Sequence, residues 1–189
     1  MLLFVRASPP TRAQPVFISG ALMNMYIRPA QAEDIPAIAA VEALGFPAAE
    51  AATLPSFVAR FAAFPECFFV AEAEGMVVGQ VNGCVTTSPV LPDALYHDTS
   101  LHNAQGAYQT VFGLVVLPQW QGRGIASALM RHLIATAQGR GKRGVVLTCK
   151  AKLIPFYEAL GFVHKGIADS CHGAAQWHTM LLEYAAKRA

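Results

Sequence analysis

With 189 residues the chain has the length of one domain, which argues against two full ones. Hydrophobic residues make up 54% of it and charged residues 14%, enough apolar material for a core, so disorder over most of the length is excluded. A net charge of +2 is too weak to point to nucleic acid, whose binders carry a concentrated basic face.

The N-terminal stretch Met1–Arg6 lacks a basic region ahead of its apolar residues, and Arg6, Pro9 and Pro10 soon interrupt it, so it reads as neither signal peptide nor anchor. No apolar run in the chain approaches a membrane span. A coherent domain start lies near Met25, giving a domain over 25–189. Residues 1–24 read as a flexible extension or as translation from an upstream start codon.

Tyr26-Ile27-Arg28 is expected to form a short strand ended by Pro29. Ala32-Glu33-Asp34 opens a helix with Pro36 in its first turn and Ile35, Ile38, Ala39 and Val41 on its buried face. A second helix runs from about Leu54 to Phe64, with Phe57, Val58, Phe61 and Phe64 recurring at helical spacing as core residues. Cys67–Glu72 and Met76–Val85 read as strands joined by a tight turn at Glu74-Gly75, hence antiparallel. Residues 86–107 form a long polar loop, a candidate substrate lid. Thr110–Val116 is a strand, Pro118–Gly124 a turn, and Ile125–Ala137 a helix stopped by Gly139-Arg140-Gly141. Gly144–Cys149 is an apolar strand, Leu153–Leu160 a short helix stopped by Gly161, and Gln176–Tyr184 a last strand. The order is β-α-α-β-β-β-α-β-α-β, a mixed α/β domain.

The cysteines Cys67, Cys84, Cys149 and Cys171 form no CxxC pair, so neither a zinc site nor a redox motif is signalled; they read as buried or free thiols in a reducing, cytoplasmic setting.

The turn Gln121-Gly122-Arg123-Gly124-Ile125-Ala126-Ser127 carries the chemistry. The first turn of a helix has amides without intrahelical partners, and the helix dipole adds partial positive charge there. Glycines at 122 and 124 let the chain curl and let a ligand approach, which makes a nest for a diphosphate. The dinucleotide pattern would need glycine at 127, where Ser127 stands, and the Walker lysine is absent.

Gln121–Ala126 matches Q/R-x-x-G-x-G/A, the acetyl-CoA signature of the GNAT superfamily. Leu114-Val115-Val116-Leu117-Pro118 resembles the strand and proline before that turn, and Leu153–Phe162 resembles the family's "FYEKLGF" helix. The likeness covers roughly residues 26 to 184. Within the superfamily the chain most resembles arylalkylamine (serotonin-type) N-acetyltransferases, through Ile154-Pro155-Phe156-Tyr157 after a strand ending in Cys149 and through the stretch Leu101–Val116. The resemblance implies a GNAT-like fold, a mostly antiparallel central sheet flanked by helices. It implies acetyl-CoA as co-substrate and a small-molecule amine as acceptor in a monomer or homodimer, with no metal, nucleic acid or membrane involved. The backbone of Leu114, Val115 and Val116 would pair with the pantetheine arm, the amides from Gly122 to Ser127 would hold the pyrophosphate, and Tyr157 would protonate the departing thiolate. Arg123, Arg140, Lys142, Arg143 and Lys150 would meet CoA phosphates, and Leu114 or Val115 would polarise the acetyl oxygen. Phe46, Pro47, Phe57, Phe61 and the loop 86–107 read either as an apolar pocket for an aromatic ring or equally as core.

In one respect the sequence departs from that pattern. The serotonin enzymes carry two histidines in the strand before the turn, and the aligned positions here are Thr110 and Phe112. Neither is a base, which leaves His102, Tyr108, Glu72 or a water chain for the acceptor's proton. Alternative readings are a GNAT acting on another small amine or a protein N-terminus, a CoA-binding module without catalysis, and a dinucleotide-binding regulator.

Overall fold

The computed structural model describes residues 14–15, 25–170, 173 and 175–185. Cys171 and the proposed extension 1–24 lie outside them, apart from Gln14–Pro15 (β1). The other strands are β2 (Met25–Pro29), β3 (Phe68–Ala73), β4 (Met76–Asn82), β5 (Val85–Thr86), β6 (Tyr108–Val111), β7 (Gly113–Val116), β8 (Gly144–Cys149), β9 (Val163–Ile167) and β10 (His178–Glu183). The helices are α1 (Ile35–Gly45), α2 (Leu54–Ala63), α3 (Ile125–Gly139) and α4 (Ile154–Glu158). Among the described residues no helix is long and apolar enough to cross a membrane.

Strand β3 alternates its side chains between two cores, as the two-residue period of a strand requires. Phe69, Ala71 and Ala73 join Ile125, Leu129, Leu133 and Met180 under α3. Phe68 and Val70 join Ile35, Ile38, Phe57 and Phe64 under α1 and α2. The sheet therefore lies between helices on both faces. Each fully buried Leu or Phe contributes about 1.5–3 kcal/mol to holding a helix in place.

The strands form two five-stranded groups, β1-β2-β3-β4-β7 and β5-β6-β8-β10-β9. All described pairings are antiparallel except β6 with β8. The stretch expected as one strand, Thr110–Val116, is two: β6 pairs with β5 and β8, whereas β7 pairs with β4. Met76–Val85 is divided likewise, at Gly83-Cys84. The register explains the break. Val85 faces Gln109 and the Phe112 amide still reaches the Asn82 carbonyl at 2.8 Å, but Asn82 also faces Gly113, so Phe112 and Gly113 stand opposite the single residue Asn82. This is a β-bulge, which bends its strand and sharpens the local twist. Beyond it β7 stays with β4 while β8 continues elsewhere, and a wedge opens between β7 and β8.

The sequence reading missed β5 and β9, two short strands without a strong pattern. The loop 86–107 is more ordered than expected. Asp93–Tyr96 and Thr99–Leu101 form single 3-10 turns, and Leu91 and Leu95 are buried. Val58 lies on the exposed side of α2, whereas Arg60 is buried.

Gly83, next to Asn82, is a tight crossing of the two strands. A Cβ there would sit 2.0 Å from the carbonyl oxygen of Thr110. Gly83→Ala is expected to destabilise the fold by about 3 kcal/mol, the upper end for overpacking. Gly139→Ala, where a Cβ meets nothing within 4 Å, should stabilise by about 0.5–1 kcal/mol through helix propensity. Urea unfolding of both variants checks this: a Gly83→Ala midpoint equal to wild type would refute Gly83 as a tight crossing.

Candidate functional site

Alternation along β7 decides which backbone groups are free. Leu117 donates to the Val78 carbonyl at 2.9 Å, just past the β4–β7 ladder. By the two-residue alternation of an antiparallel pair, Val115 and Gly113 also bond into β4, and the polar groups of Leu114 and Val116 point to the open edge. The Val116 carbonyl accepts a hydrogen bond from Gln121 Nε2 at 2.9 Å. Of the three residues expected to offer backbone, Val115 is thus turned into the sheet.

The edge leads to the glycine turn. Gly122 and Gly124 have φ of +73° and +76°, a left-handed conformation that costs an L-residue about 1–2 kcal/mol. Gly124 is the N-cap of α3 and offers no side chain to its first turn. In α2, by contrast, Thr53 Oγ1 accepts from the Ser56 amide at 3.3 Å. The amides of Ile125, Ala126 and Ser127 therefore have no intrahelical acceptor, and the first α3 bond in sequence runs from Ala128 to the Gly124 carbonyl at 3.0 Å. Arg123 stacks over Trp120 at 4.9 Å and donates to the Gln119 carbonyl. A groove of about 440 Å³ runs past Leu114, Val116, Gln121, Gly122, Gly124 and the first residues of α3 to Tyr157.

A second cavity of about 720 Å³ fills the wedge between β7 and β8. Phe112, Gly113 and Leu114 form one wall, and Thr148, Cys149 and Lys150 another. Phe46, Pro47, Tyr96 and Trp177 add apolar surface, while Phe57 and Phe61 pack in the core, as their helical spacing indicated. Leu114, Gln121, Leu153 and Tyr157 border both spaces. Tyr157 is 6% exposed, held between the rings of Phe156 and Phe162, and burial pushes its phenol above the ordinary tyrosine range.

Two buried charges face the wedge that sequence reasoning did not single out. Glu42 Oε2 accepts from Gln80 Nε2 at 2.8 Å, and Gln80 Oε1 accepts from Asn82 Nδ2 at 2.9 Å. The carboxylate lies beside Gly113, since a Cβ on that glycine would be 3.1 Å from Oε2. Burial raises its pKa to about 7. Arg60 is 6% exposed and donates from Nη2 to the Tyr96 carbonyl at 2.8 Å. Its guanidinium lies over Phe112 at 4.9 Å and Phe57 at 5.8 Å. Both residues occupy stripe positions: Glu42 follows Ile38 by four residues and Arg60 follows Phe57 by three. A charge inside an apolar stripe was the signal available.

Other candidates fall away. Glu72 is tied to Arg28 at 2.7 Å, and Tyr108 donates to Glu183 at 3.2 Å. His102 stacks on Phe64 and lies outside both spaces. It sits with Glu66 and Cys67 in a cluster of metal-ligand type. Its Nδ1, however, accepts the Val85 amide at 3.2 Å, so the proton is on Nε2, which faces Glu66 and has no lone pair for a metal. Cys149 lines the wedge with its thiol pushed up to about 11, hence as a neutral packing group. The expected basic cluster is dispersed. Arg140, Lys142 and Arg143 follow the far end of the 15-residue α3, about 20 Å from its first turn. Lys150 pairs with Glu50 at 2.7 Å in the wedge. Among the five, only Arg123 stands at the turn.

Comparison with known proteins shows the fold and the family. Over 103 residues the chain is 36% identical to the probable N-acetyltransferase family 8 member 5 of Mus musculus, covering 52% of this chain and 39% of that one. Over 52 residues it is 36% identical to serotonin N-acetyltransferase 2, chloroplastic, of Oryza sativa subsp. japonica, covering 28% and 26%. The matched segments thus span well under half the length of these relatives. The loading GNATL domain of CurA from Lyngbya majuscula superposes with a TM-score of 0.73 at 16% identity, over 84% of this chain and 97% of that one, a likeness of fold alone. A model of the acetyltransferase (GNAT) domain matches residues 65–164, more than half of the chain, and the chain belongs to that family.

Proposed function

We propose that the chain is an acetyl-CoA-dependent N-acetyltransferase that transfers acetyl to a primary amine by direct attack in a ternary complex. The observation that carries this reading is the meeting of the two spaces at Leu114 and Tyr157. One offers free strand edge and uncapped helix amides, the other a half-apolar chamber. Acetyl-CoA supplies the activated acetyl as a thioester. The amides from Gly122 to Ser127 hold its pyrophosphate, with the α3 dipole adding to the attraction. Leu114 and Val116 pair with the pantetheine arm as an added strand would.

The chain's own groups then divide the chemistry. Glu42 takes the proton of the acceptor ammonium, so that the nitrogen lone pair is free to attack. The Leu114 amide donates to the acetyl oxygen as negative charge grows there. Tyr157, kept neutral by its burial, gives its phenolic proton to the sulfur as the C–S bond breaks. The chamber has the volume of a small-molecule site, which favours a small amine over a protein N-terminus. Its rings, Phe46, Tyr96, Phe112 and Trp177, suit an arylalkyl group.

Tyr157→Phe is expected to lower kcat at least about a hundredfold, the low end for losing a general acid, while CoA affinity stays within about twofold. Thiol release and calorimetry read the two quantities. Equal turnover in the variant would remove Tyr157 as the acid, and CoA binding without turnover in the wild type, whatever amine is offered, would favour the non-catalytic module.

Glu42 gives a signed pH dependence. Its folded pKa is about 7 against an ordinary 4.5. The folded chain therefore keeps a proton that the unfolded chain releases across that window, and stability falls as pH climbs through it. Relative to Glu42→Gln, the wild type should lose about 3 kcal/mol between pH 4 and pH 8. Its kcat/KM should rise through pH 7, a limb that the variant lacks. Urea unfolding at both pH values and a rate profile check the two halves; parallel stability curves would show that Glu42 is not buried in this way.

Gly124→Ala should weaken CoA binding by about tenfold, because an L-residue at that left-handed φ costs about 1–2 kcal/mol and the turn would relax away from its nest. Calorimetric titration with CoA measures it, and unchanged affinity would mean that the turn does not grip the phosphates.

A further inference from the structure

Arg60 is a buried cation without an anion. Among the described residues the ion pairs are Arg28–Asp34, Arg28–Glu72, His102–Glu66 and Lys150–Glu50. Arg60 belongs to none of them, although it is 6% exposed and lines the wedge cavity. Its one hydrogen bond uses Nη2, toward the Tyr96 carbonyl, and its Nε is buried with no partner at all. An isolated buried charge costs several kcal/mol, and the rings of Phe112 and Phe57 offset only part of that. The acidic group that acts on it, Glu42, is itself driven toward its neutral form by burial. A guanidinium stays charged in any such setting and presents a planar fork that matches a carboxylate.

We propose that Arg60 is the docking point for a carboxylate on the acceptor, so that the amine acetylated here is an amino acid rather than a bare amine. This rests on the acetyl-transfer reading and names its substrate class. Consecutive residues set out the three groups involved. Arg60 lies over Phe112, Glu42 lies beside Gly113, and the free amide belongs to Leu114. Two steps of strand span about 7 Å, a reach that suits an amine and a carboxylate separated by one or a few carbons. The nitrogen then sits between Glu42 and Leu114, and the aromatic chamber takes the side chain.

The test sets the free amino acids against their decarboxylated amines and their carboxamides, with acetyl-CoA and wild-type protein. Thiol release should give at least one amino acid a kcat/KM tenfold or more above both its amine and its amide. Arg60→Gln should raise the ratio of KM for that amino acid to KM for the matching amine at least tenfold. The amide comparison needs no variant, so it stands even if Arg60→Gln folds poorly. Equal turnover of acid, amine and amide overturns the proposal. Should no amine of any kind be acetylated, acetyl transfer fails separately. Calorimetry of the same ligands with the CoA-loaded protein then decides Arg60 alone: carboxylate-dependent binding supports its role, and its absence overturns it.

Discussion

One extra residue in a strand governs this molecule. Because Phe112 and Gly113 together oppose Asn82, β7 leaves the register of β6 and carries one edge out of the sheet. Backbone amides and carbonyls inside a protein need partners, and an exposed edge is normally covered or blunted. Here Gln121 meets the Val116 carbonyl, and the rest of the edge borders a groove. On the proposed reading a ligand arm with amide groups completes the ladder. Such recognition would draw on main chain rather than side chains, so apolar residues suffice at Leu114 and Val116.

The groove and the wedge differ in their electrostatics. At one end the free amides of α3 present a diffuse positive field suited to phosphate. At the other, Glu42 and Arg60 are taken out of water into an aromatic chamber, where charge is expensive. Tyr157 stands between them, its phenol held neutral by burial in the resting protein. Burial acts on all these groups in one direction, toward the uncharged form, and only the guanidinium cannot follow. That asymmetry is what gives Arg60 its weight.

Much of this was legible in the chain wherever the signal was local. The turn Gln121–Ser127, the helix after it and the tyrosine of Leu153–Phe162 each depend on a few neighbouring residues, and each stands where it was expected. The division of Thr110–Val116 was not legible. Its residues read as one apolar strand, and the break exists only because two halves find different partners far away in sequence. Glu42 and Arg60 were visible as charges within apolar stripes, yet their helices were read for the face they bury, so the exceptions went unweighed. The basic residues misled in the opposite sense. Arg140, Lys142 and Arg143 are close in sequence to the turn, but a rigid helix carries them away from it.

Thr110 and Phe112, the positions aligned with the histidines of the serotonin-type enzymes, have other partners here. Thr110 spends its hydroxyl on Cys84, donating to the carbonyl at 3.1 Å and accepting the amide at 2.9 Å, and so it braces the bulge. Phe112 turns its ring to Arg60. These two positions of the strand are thus occupied with shape and with a cation. On the proposed reading the base comes from α1, on the face of the sheet covered by α1 and α2, whereas the acid comes from α4, packed with α3 on the other. Because the wedge passes between β7 and β8, both faces reach the same point. A proton can then be taken from the incoming nitrogen on one side and given to the departing sulfur on the other, with no group asked to do both.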